Sequence, residues 1–211
     1  MDRASVQKTK LTAELVLRAY AAGIFPMAEN GDDSSVFWVD PQVRGILPME
    51  TFHIPRKLRK IIRRGEFEIR IDSAYEYVVG RCAEATADRA ETWINKEIRS
   101  AYLELHRRGF AHSVETWMDG HLVGGLYGVS LGAAFFGESM FSRVKNASKV
   151  ALVCLVSSLR SANYKLLDIQ FVTDHLRQFG AVEIPSSIYL ERLDDAIRYQ
   201  AIFPTNASIN P

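Results

Sequence analysis

The sequence has 211 residues, of which 47% are hydrophobic, and its 26 Lys and Arg against 25 Asp and Glu give a formal net charge of +1. This length suffices for one core, or for one core with a small appended subdomain. The composition is typical of a folded globular chain, and the lack of an apolar run long enough to cross a bilayer argues against a membrane protein.

The predicted elements begin with a short amphipathic helix that Thr12 can cap and that Gly23 and Pro26 end. The residues before it contain no apolar segment behind their charges, so no secretory signal is expected and the expected compartment is the cytoplasm. From residue 31 to residue 48 the chain is rich in Pro, Asp and Gly but contains Phe37-Trp38-Val39. This pattern predicts a loop-rich subdomain with short strands.

A second helix is predicted from Pro55 to Arg64, with Leu58, Ile61 and Ile62 on one face. The opposite face consists of Arg56, Lys57, Lys60, Arg63 and Arg64. Such a face attracts nucleic-acid phosphates without reading their sequence. The alternative is an ordinary solvated helix face.

From residue 96 onwards the pattern predicts a helix, three strands, a helix, a strand, a helix, a strand and a helical C-terminal stretch. The three strands form a meander with turns at Asp119-Gly120 and Leu131-Gly132, and a buried strand runs from Lys165 to Val172. Hairpins followed by α/β crossovers imply a mixed sheet with helices packed on it. The expected fold class is α+β, of the N-acyltransferase kind.

Three polar residues lie at the edges of this predicted sheet: Glu138 after the third strand of the meander, and Asp168 and Gln170 in the following strand. Strand alternation predicts that Asp168 and Gln170 point to one face. Buried strands rarely carry such residues, so they need partners or a function. Either they form a structural hydrogen-bonded pair, or they face a ligand.

Several common chemistries are excluded by particular residues. The segment 132–139 fits the phosphate-loop template except that Glu138 takes the place of the lysine, and a carboxylate there would repel phosphate. The segment Gly137-Glu138-Ser139-Met140-Phe141 starts like the nucleophile elbow of a serine hydrolase but lacks the second glycine. The two cysteines form no CxxC pair and the five histidines show no ligand spacing, so no metal site is expected. Gly124, Gly125 and Gly128 are predicted to permit close approach of a ligand.

Five short motifs resemble, in order and spacing, those of the bacterial leucyl/phenylalanyl-tRNA–protein transferases. They are Thr92-Trp93-Ile94, Ala111-His112-Ser113-Val114-Glu115, Leu122-Val123-Gly124-Gly125-Leu126-Tyr127-Gly128, Gly137-Glu138-Ser139-Met140-Phe141-Ser142 and Asn146-Ala147-Ser148-Lys149. The opening segment 21–26 and Trp38 are similar to that family too. So many separate motifs rarely agree by chance.

The resemblance implies a small N-terminal domain, residues 1–64, and an acetyltransferase-like catalytic domain, residues 65–211, that uses no cofactor. It implies transfer of leucine or phenylalanine from aminoacyl-tRNA to the α-amino group of proteins with N-terminal Arg or Lys, which tags them for N-end-rule degradation. The expected partners are leucyl-tRNA, phenylalanyl-tRNA and such proteins, with no membrane and no metal. Because the ester is already activated, the enzyme chiefly has to position it and the attacking amine.

The resemblance also assigns roles to residues. Asp168 and Gln170 would orient the α-amino group and assist its deprotonation, and Glu138 would hold the acceptor, whose positive charges suit a carboxylate. The pocket for the aminoacyl side chain would consist of Leu126, Phe135, Leu155 and Leu167. The residues near the 3′-terminal adenosine, where a flat ring can stack on a base, would be Trp38, Trp93 and Tyr102.

Alternatives remain open at this point. The pocket residues and the three aromatic residues also fit ordinary core positions. An acetyl-CoA-dependent N-acetyltransferase would need a glycine-rich pyrophosphate loop before a helix, and Ser139 to Asn146 offers none. A non-catalytic tRNA-binding module would use the basic helix and the aromatic residues but would leave Glu138, Asp168 and Gln170 without a chemical task.

Overall fold

The computed structural model describes residues 10–31, 35–85 and 92–206. Within these ranges the helices are α1 (Ala13–Ala21), α2 (Arg56–Arg64), α3 (Tyr75–Cys82), α4 (Lys96–Arg107), α5 (Ala147–Ser161), α6 (Asp174–Arg177) and α7 (Ser186–Ile197). The strands are β1 (Phe25–Met27), β2 (Phe37–Val39), β3 (Val43–Ile46), β4 (Glu68–Ile71), β5 (Ala111–Met118), β6 (His121–Leu131), β7 (Ala134–Ser142), β8 (Leu166–Gln170) and β9 (Val182–Pro185).

A seven-stranded mixed sheet with the order β4-β5-β6-β7-β8-β3-β9 forms the centre of the molecule. Its strands pair antiparallel except β7 and β8, which run parallel over three residue pairs, from Ala134 with Leu166 to Phe136 with Asp168. A separate two-stranded sheet consists of β1 and β2. The predicted α+β class, with a mixed sheet and packed helices, is confirmed.

Two apolar clusters pack on opposite faces of the sheet, as the alternation along β6 shows. Tyr127 and Val129 belong to a cluster with residues of α1, α3, α4 and α7, whereas Leu126 belongs to a cluster built around α5. Helix α5 is buried over most of its surface between the sheet and α2. Burial of such apolar surface is the main force that holds helices on a sheet.

The elements predicted from residue 96 onwards occur in the predicted order, and α1 is capped by Thr12 as expected, with its hydroxyl accepting the Leu15 N–H at 3.2 Å. The predicted turn at Leu131-Gly132 lies one residue later, because β6 continues to Leu131 and β7 starts at Ala134. The buried strand is shorter than predicted, since Gln170 leaves the extended conformation with a φ of 54°.

Strand β4 and helix α3 are elements that the sequence pattern did not indicate, whereas β3 falls within the segment 31–48, for which short strands were predicted. Strand β3 lies in the large sheet between β8 and β9, although it comes from the first 64 residues. The division of the chain after residue 64 therefore stays a prediction. Within the described ranges no helix is both long and apolar enough to span a bilayer.

Candidate active site

A cleft of about 540 Å³ opens beyond the point where β7 and β8 stop pairing. The wall on the β7 side carries Glu138, and Gln170 ends β8 on the other side. Most of the remaining lining is apolar, and β1, β6 and α5 contribute to it. A largely apolar concavity with a few convergent polar groups is typical of a small-ligand or substrate site.

Glu138 is surrounded by hydrogen-bond donors. Its Oε1 accepts from the Tyr20 hydroxyl at 2.6 Å and from Nε2 of Gln170 at 3.4 Å, and its Oε2 accepts from the Tyr102 hydroxyl at 2.8 Å. Burial raises the pKa of Glu138 to about 7, although the two tyrosine hydrogen bonds act in the opposite direction. At neutral pH the carboxyl group is therefore a mixture of both forms, and a cation that enters the cleft favours the ionised one.

Asp168 is fully buried and does not line the cleft. Its carboxylate accepts hydrogen bonds from Arg44, from the Tyr189 hydroxyl at 2.7 Å and from the main-chain N–H of Gln170 at 2.8 Å. The side chain of Asp168 therefore contacts Gln170 through the main-chain N–H of Gln170 and not through its amide.

Asp168 and Gln170 differ in their access to the cleft, and their placement on one face of the strand stays a prediction. Gln170, whose backbone is left-handed, lines the cleft together with Leu167 and Ile169, whereas Asp168 is fully buried outside the lining. A positive φ at a residue other than glycine has no reliable local sequence signal, so the alternation rule could not anticipate it.

Three of the four residues proposed for the aminoacyl pocket, Leu126, Leu155 and Leu167, line the cleft. Phe135 does not line it. Its ring is fully buried and stacks on Phe203 with a centroid distance of 5.3 Å, within the same apolar cluster as the three leucines. Residues of the lining that the sequence did not single out include Met27, Met140, Leu152 and Ile169.

The three aromatic residues proposed near the adenosine occupy different surroundings. Trp93 lines the cleft, and Trp38 lies on β2 with 38% of its surface exposed. Tyr102 is fully buried, with its ring edge-on to Tyr127 at 5.7 Å, so it offers no free face for a base. The contact that Tyr102 makes towards the cleft is the hydrogen bond to Glu138.

The predicted basic face of α2 is exposed over all five residues: Arg56, Lys57, Lys60, Arg63 and Arg64. Within the described part of the chain, the acidic partner found for this face is Glu66, 3.4 Å from Arg64. Arg59 is exposed as well and, with Arg160 of α5, lines a second cleft beside the face. With a rotation of 100° per residue, Arg59 lies beside the basic face of α2. The same helical spacing could therefore have predicted Arg59 as part of that face.

Arg44, Tyr20 and Tyr189 are site residues that the sequence reasoning missed. A single arginine inside the short apolar strand β3 was a usable signal for Arg44, because buried charges need partners. The two tyrosines carried no such signal, since Tyr20 meets Glu138 across 118 positions of chain.

The glycines of β6 serve protein packing and not ligand approach, contrary to expectation. A Cβ atom at Gly124 would lie 2.5 Å from the Cβ of Ala147, and one at Gly128 would lie 2.3 Å from the carbonyl oxygen of Phe136. These glycines therefore let α5 and β7 pack closely on β6. Among the described residues no group of three or more His, Cys, Asp or Glu side chains is placed to hold a metal ion.

The comparisons with known proteins agree with the motifs. A family model described as "Leucyl/phenylalanyl-tRNA protein transferase" matches residues 46–194, and one described as the N-terminal domain of that family matches residues 9–42. A leucyl/phenylalanyl-tRNA–protein transferase of Paramagnetospirillum magneticum is 58% identical over 199 residues, which cover 94% of this chain and 95% of the relative. One of Zymomonas mobilis is 56% identical over 183 residues, covering 87% and 68%.

Proposed function

The chain belongs to the leucyl/phenylalanyl-tRNA–protein transferase family, and on that premise we propose how its residues carry out the transfer. It moves leucine or phenylalanine from aminoacyl-tRNA to the α-amino group of proteins that begin with Arg or Lys. The product gains a peptide bond and an N-terminal residue that tags it for N-end-rule degradation. The observation that carries the residue assignment is the apolar cleft in which the Gln170 amide donates a hydrogen bond to the Glu138 carboxyl group at 3.4 Å.

The reaction needs positioning more than activation. The neutral α-amino nitrogen of the acceptor attacks the ester carbonyl carbon, a C–N bond forms, and the C–O bond to the terminal ribose breaks. The proton lost by the amine ends on the ribose hydroxyl that leaves. Since the ester is already activated, no covalent enzyme intermediate is required, and holding both reactants in the cleft supplies much of the rate.

Glu138 and Gln170 receive the acceptor in this proposal. The carboxylate of Glu138 attracts the positive charges of an N-terminal Arg or Lys. Gln170 already donates its amide N–H to Glu138, which leaves its amide oxygen as the acceptor for a hydrogen bond from the attacking amine. Asp168 does not touch the substrates and acts as a positioning residue for Gln170.

The tRNA side of the site uses separate surfaces. Leu126, Leu155 and Leu167 receive the leucine or phenylalanine side chain, and Phe135 supports them from the apolar cluster behind. Trp93 in the cleft and exposed Trp38 offer ring faces for the terminal adenine, and Tyr102 orients Glu138. The basic face of α2 binds tRNA phosphates.

The transfer itself is tested with leucyl-tRNA and a peptide that begins with Arg. We expect the peptide to gain the mass of one leucine residue, and the same peptide beginning with Glu to remain unmodified. A peptide that stays unmodified with purified, folded protein would refute the proposed function. Since aminoacyl-tRNA is produced where translation takes place, we propose that the protein acts in the cytoplasm.

A further inference from the structure

Arg44 and Asp168 form a buried ion pair next to the cleft but outside its lining. Their side chains are 1% and 0% exposed. Nη2 of Arg44 donates to Oδ2 of Asp168 at 2.6 Å, and Nε donates to Oδ1 at 3.0 Å. Breaking such a pair from one side is costly, because it leaves a buried charge without compensation.

Tyr189 and the β1 region complete the surroundings of this ion pair. The guanidinium group lies between the rings of Phe25 and Tyr189, 4.5 Å and 4.6 Å from their centroids, and donates to the carbonyl oxygen of Gly23 at 2.9 Å. The Tyr189 hydroxyl donates to Oδ2 of Asp168 at 2.7 Å. These contacts leave Asp168 one orientation, in which Oδ1 faces the backbone of Gln170.

Gln170 has a φ of 54°, which is uncommon for a residue with a side chain. Its main-chain N–H donates to Oδ1 of Asp168 at 2.8 Å. Gly45 of β3 packs against the following residues so closely that a Cβ atom there would lie 2.9 Å from the carbonyl carbon of Phe171. An uncommon backbone conformation persists when its surroundings determine it, and here β3 and Asp168 provide those surroundings.

We propose that Arg44 and Tyr189 are positioning residues of the transfer reaction. By orienting Asp168 they impose the left-handed backbone at Gln170, and this backbone turns the glutamine amide into the cleft beside Glu138. The inference rests on the role proposed above for Gln170. It also explains why a buried carboxylate that does not reach the substrates, Asp168, lies two residues from the glutamine whose amide contacts the attacking amine in the proposed mechanism.

The test compares two tyrosine variants that each lose one buried hydroxyl. Tyr189→Phe removes a donor to Asp168 and keeps the ring on Arg44. Tyr164→Phe is the matched control, because the Tyr164 hydroxyl bonds to the Ser130 hydroxyl at 2.6 Å and neither residue lines the cleft. We expect kcat to fall about tenfold for Tyr189→Phe only, with the KM for leucyl-tRNA unchanged, while both variants lose similar thermal stability.

A double variant separates positioning from general stability. In a Gln170→Ala background there is no amide to position, so adding Tyr189→Phe should leave kcat at the value of Gln170→Ala alone. Multiplying losses in the double variant, or a Tyr189→Phe turnover equal to that of Tyr164→Phe, would overturn the inference. Both results would leave the proposed function intact, since that depends on transfer by the unchanged protein.

Discussion

Glu138, which is half-buried in the wall of the cleft, and Asp168, which is fully buried, are two carboxyl groups in different electrostatic surroundings. Asp168 faces the guanidinium of Arg44, whereas Glu138 faces the hydroxyls of Tyr20 and Tyr102, which lie 2.5 Å from each other. Hydroxyl groups solvate a carboxylate less completely than a cation compensates it, and burial therefore raises the pKa of Glu138. An acceptor protein with a basic N-terminal residue would supply the positive charge that compensates an ionised Glu138.

The raised pKa of Glu138 predicts a pH-dependent stability. Its folded value of about 7 lies above the ordinary 4.5, so folding binds the proton more tightly. The resulting stability is fully present below about pH 4.5 and is lost as the pH rises through about 7. Between pH 5 and pH 8 we expect the free energy of unfolding, measured in urea, to fall more steeply for the unchanged protein than for Glu138→Gln. Parallel curves for the two proteins would show that Glu138 titrates normally.

The two polar residues of the cleft should affect different kinetic constants. Gln170→Ala removes the acceptor for the attacking amine, so kcat should fall by about 10²-fold or more with a nearly normal KM for leucyl-tRNA. Glu138→Gln should chiefly raise the KM for a peptide that begins with Arg. Gln178→Ala changes an exposed glutamine outside the cleft and serves as the control. A normal kcat in folded Gln170→Ala would show that the amide is structural.

At the scale of single residues, the sequence indicated the three polar residues of the site but not their contacts with distant parts of the chain. Glu138, Asp168 and Gln170 stood out because polar side chains are rare in buried strands. Arg44 reaches Asp168 across 124 positions, and no local pattern encodes that pairing. The left-handed backbone at Gln170 was equally invisible, because it depends on those distant contacts.

Helices α2 and α3 show which elements can be predicted locally. The two faces of α2 follow from residue types three and four positions apart, so its bounds and its basic face were predictable. Helix α3 begins instead with the help of Glu115 on β5, whose carboxylate accepts the Ala74 N–H at 2.7 Å and a hydrogen bond from the Ser73 hydroxyl. A start signal that lies 41 positions away does not appear in a local window.

The basic face of α2 predicts salt-dependent tRNA binding. Lys60→Gln combined with Arg63→Gln should weaken tRNA binding and reduce the steepness of the plot of log affinity against log salt by about one to two. The reason is that binding releases fewer counterions when fewer phosphate contacts form. Arg192→Gln combined with Arg198→Gln removes the same charge from α7 and its C-cap, and it should leave the slope unchanged. The tRNA affinity of each double variant is measured at several salt concentrations. If both variants have the same slope as the unchanged protein, the basic face of α2 is an ordinary solvated face.

At the scale of the whole molecule, the large sheet contains a strand from the N-terminal part of the chain. Strand β3 comes from the first 64 residues yet pairs with β8 and β9 in the large sheet. The order of the strands after residue 96 was predictable because hairpins and crossovers connect neighbours. The insertion of β3 was not, since its partners lie far along the chain and its four residues are too short for a clear pattern.

The cleft, which six helices and strands build together, predicts the choice of donor. Its leucine-rich wall should accept leucine over β-branched isoleucine by roughly tenfold or more when both are presented on the same tRNA. Leu155→Ala should narrow this ratio by making room near the Cβ atom. Leu159→Ala truncates a fully buried leucine of the same helix that does not line the cleft, and it should lower stability while keeping the ratio. Equal transfer of both amino acids by the unchanged protein would contradict this pocket assignment.

Tyr189 reaches Asp168 from α7, the last helix of the described residues, and this has a consequence during synthesis. A ribosome makes the N-terminal part first, so Arg44 and Asp168 emerge well before Tyr189 does. Until residue 189 has left the exit tunnel, Asp168 lacks one of its hydrogen-bond donors and α7 cannot cover the ion pair. A nascent chain from which residue 189 has not yet emerged therefore lacks the complete set of contacts around Asp168.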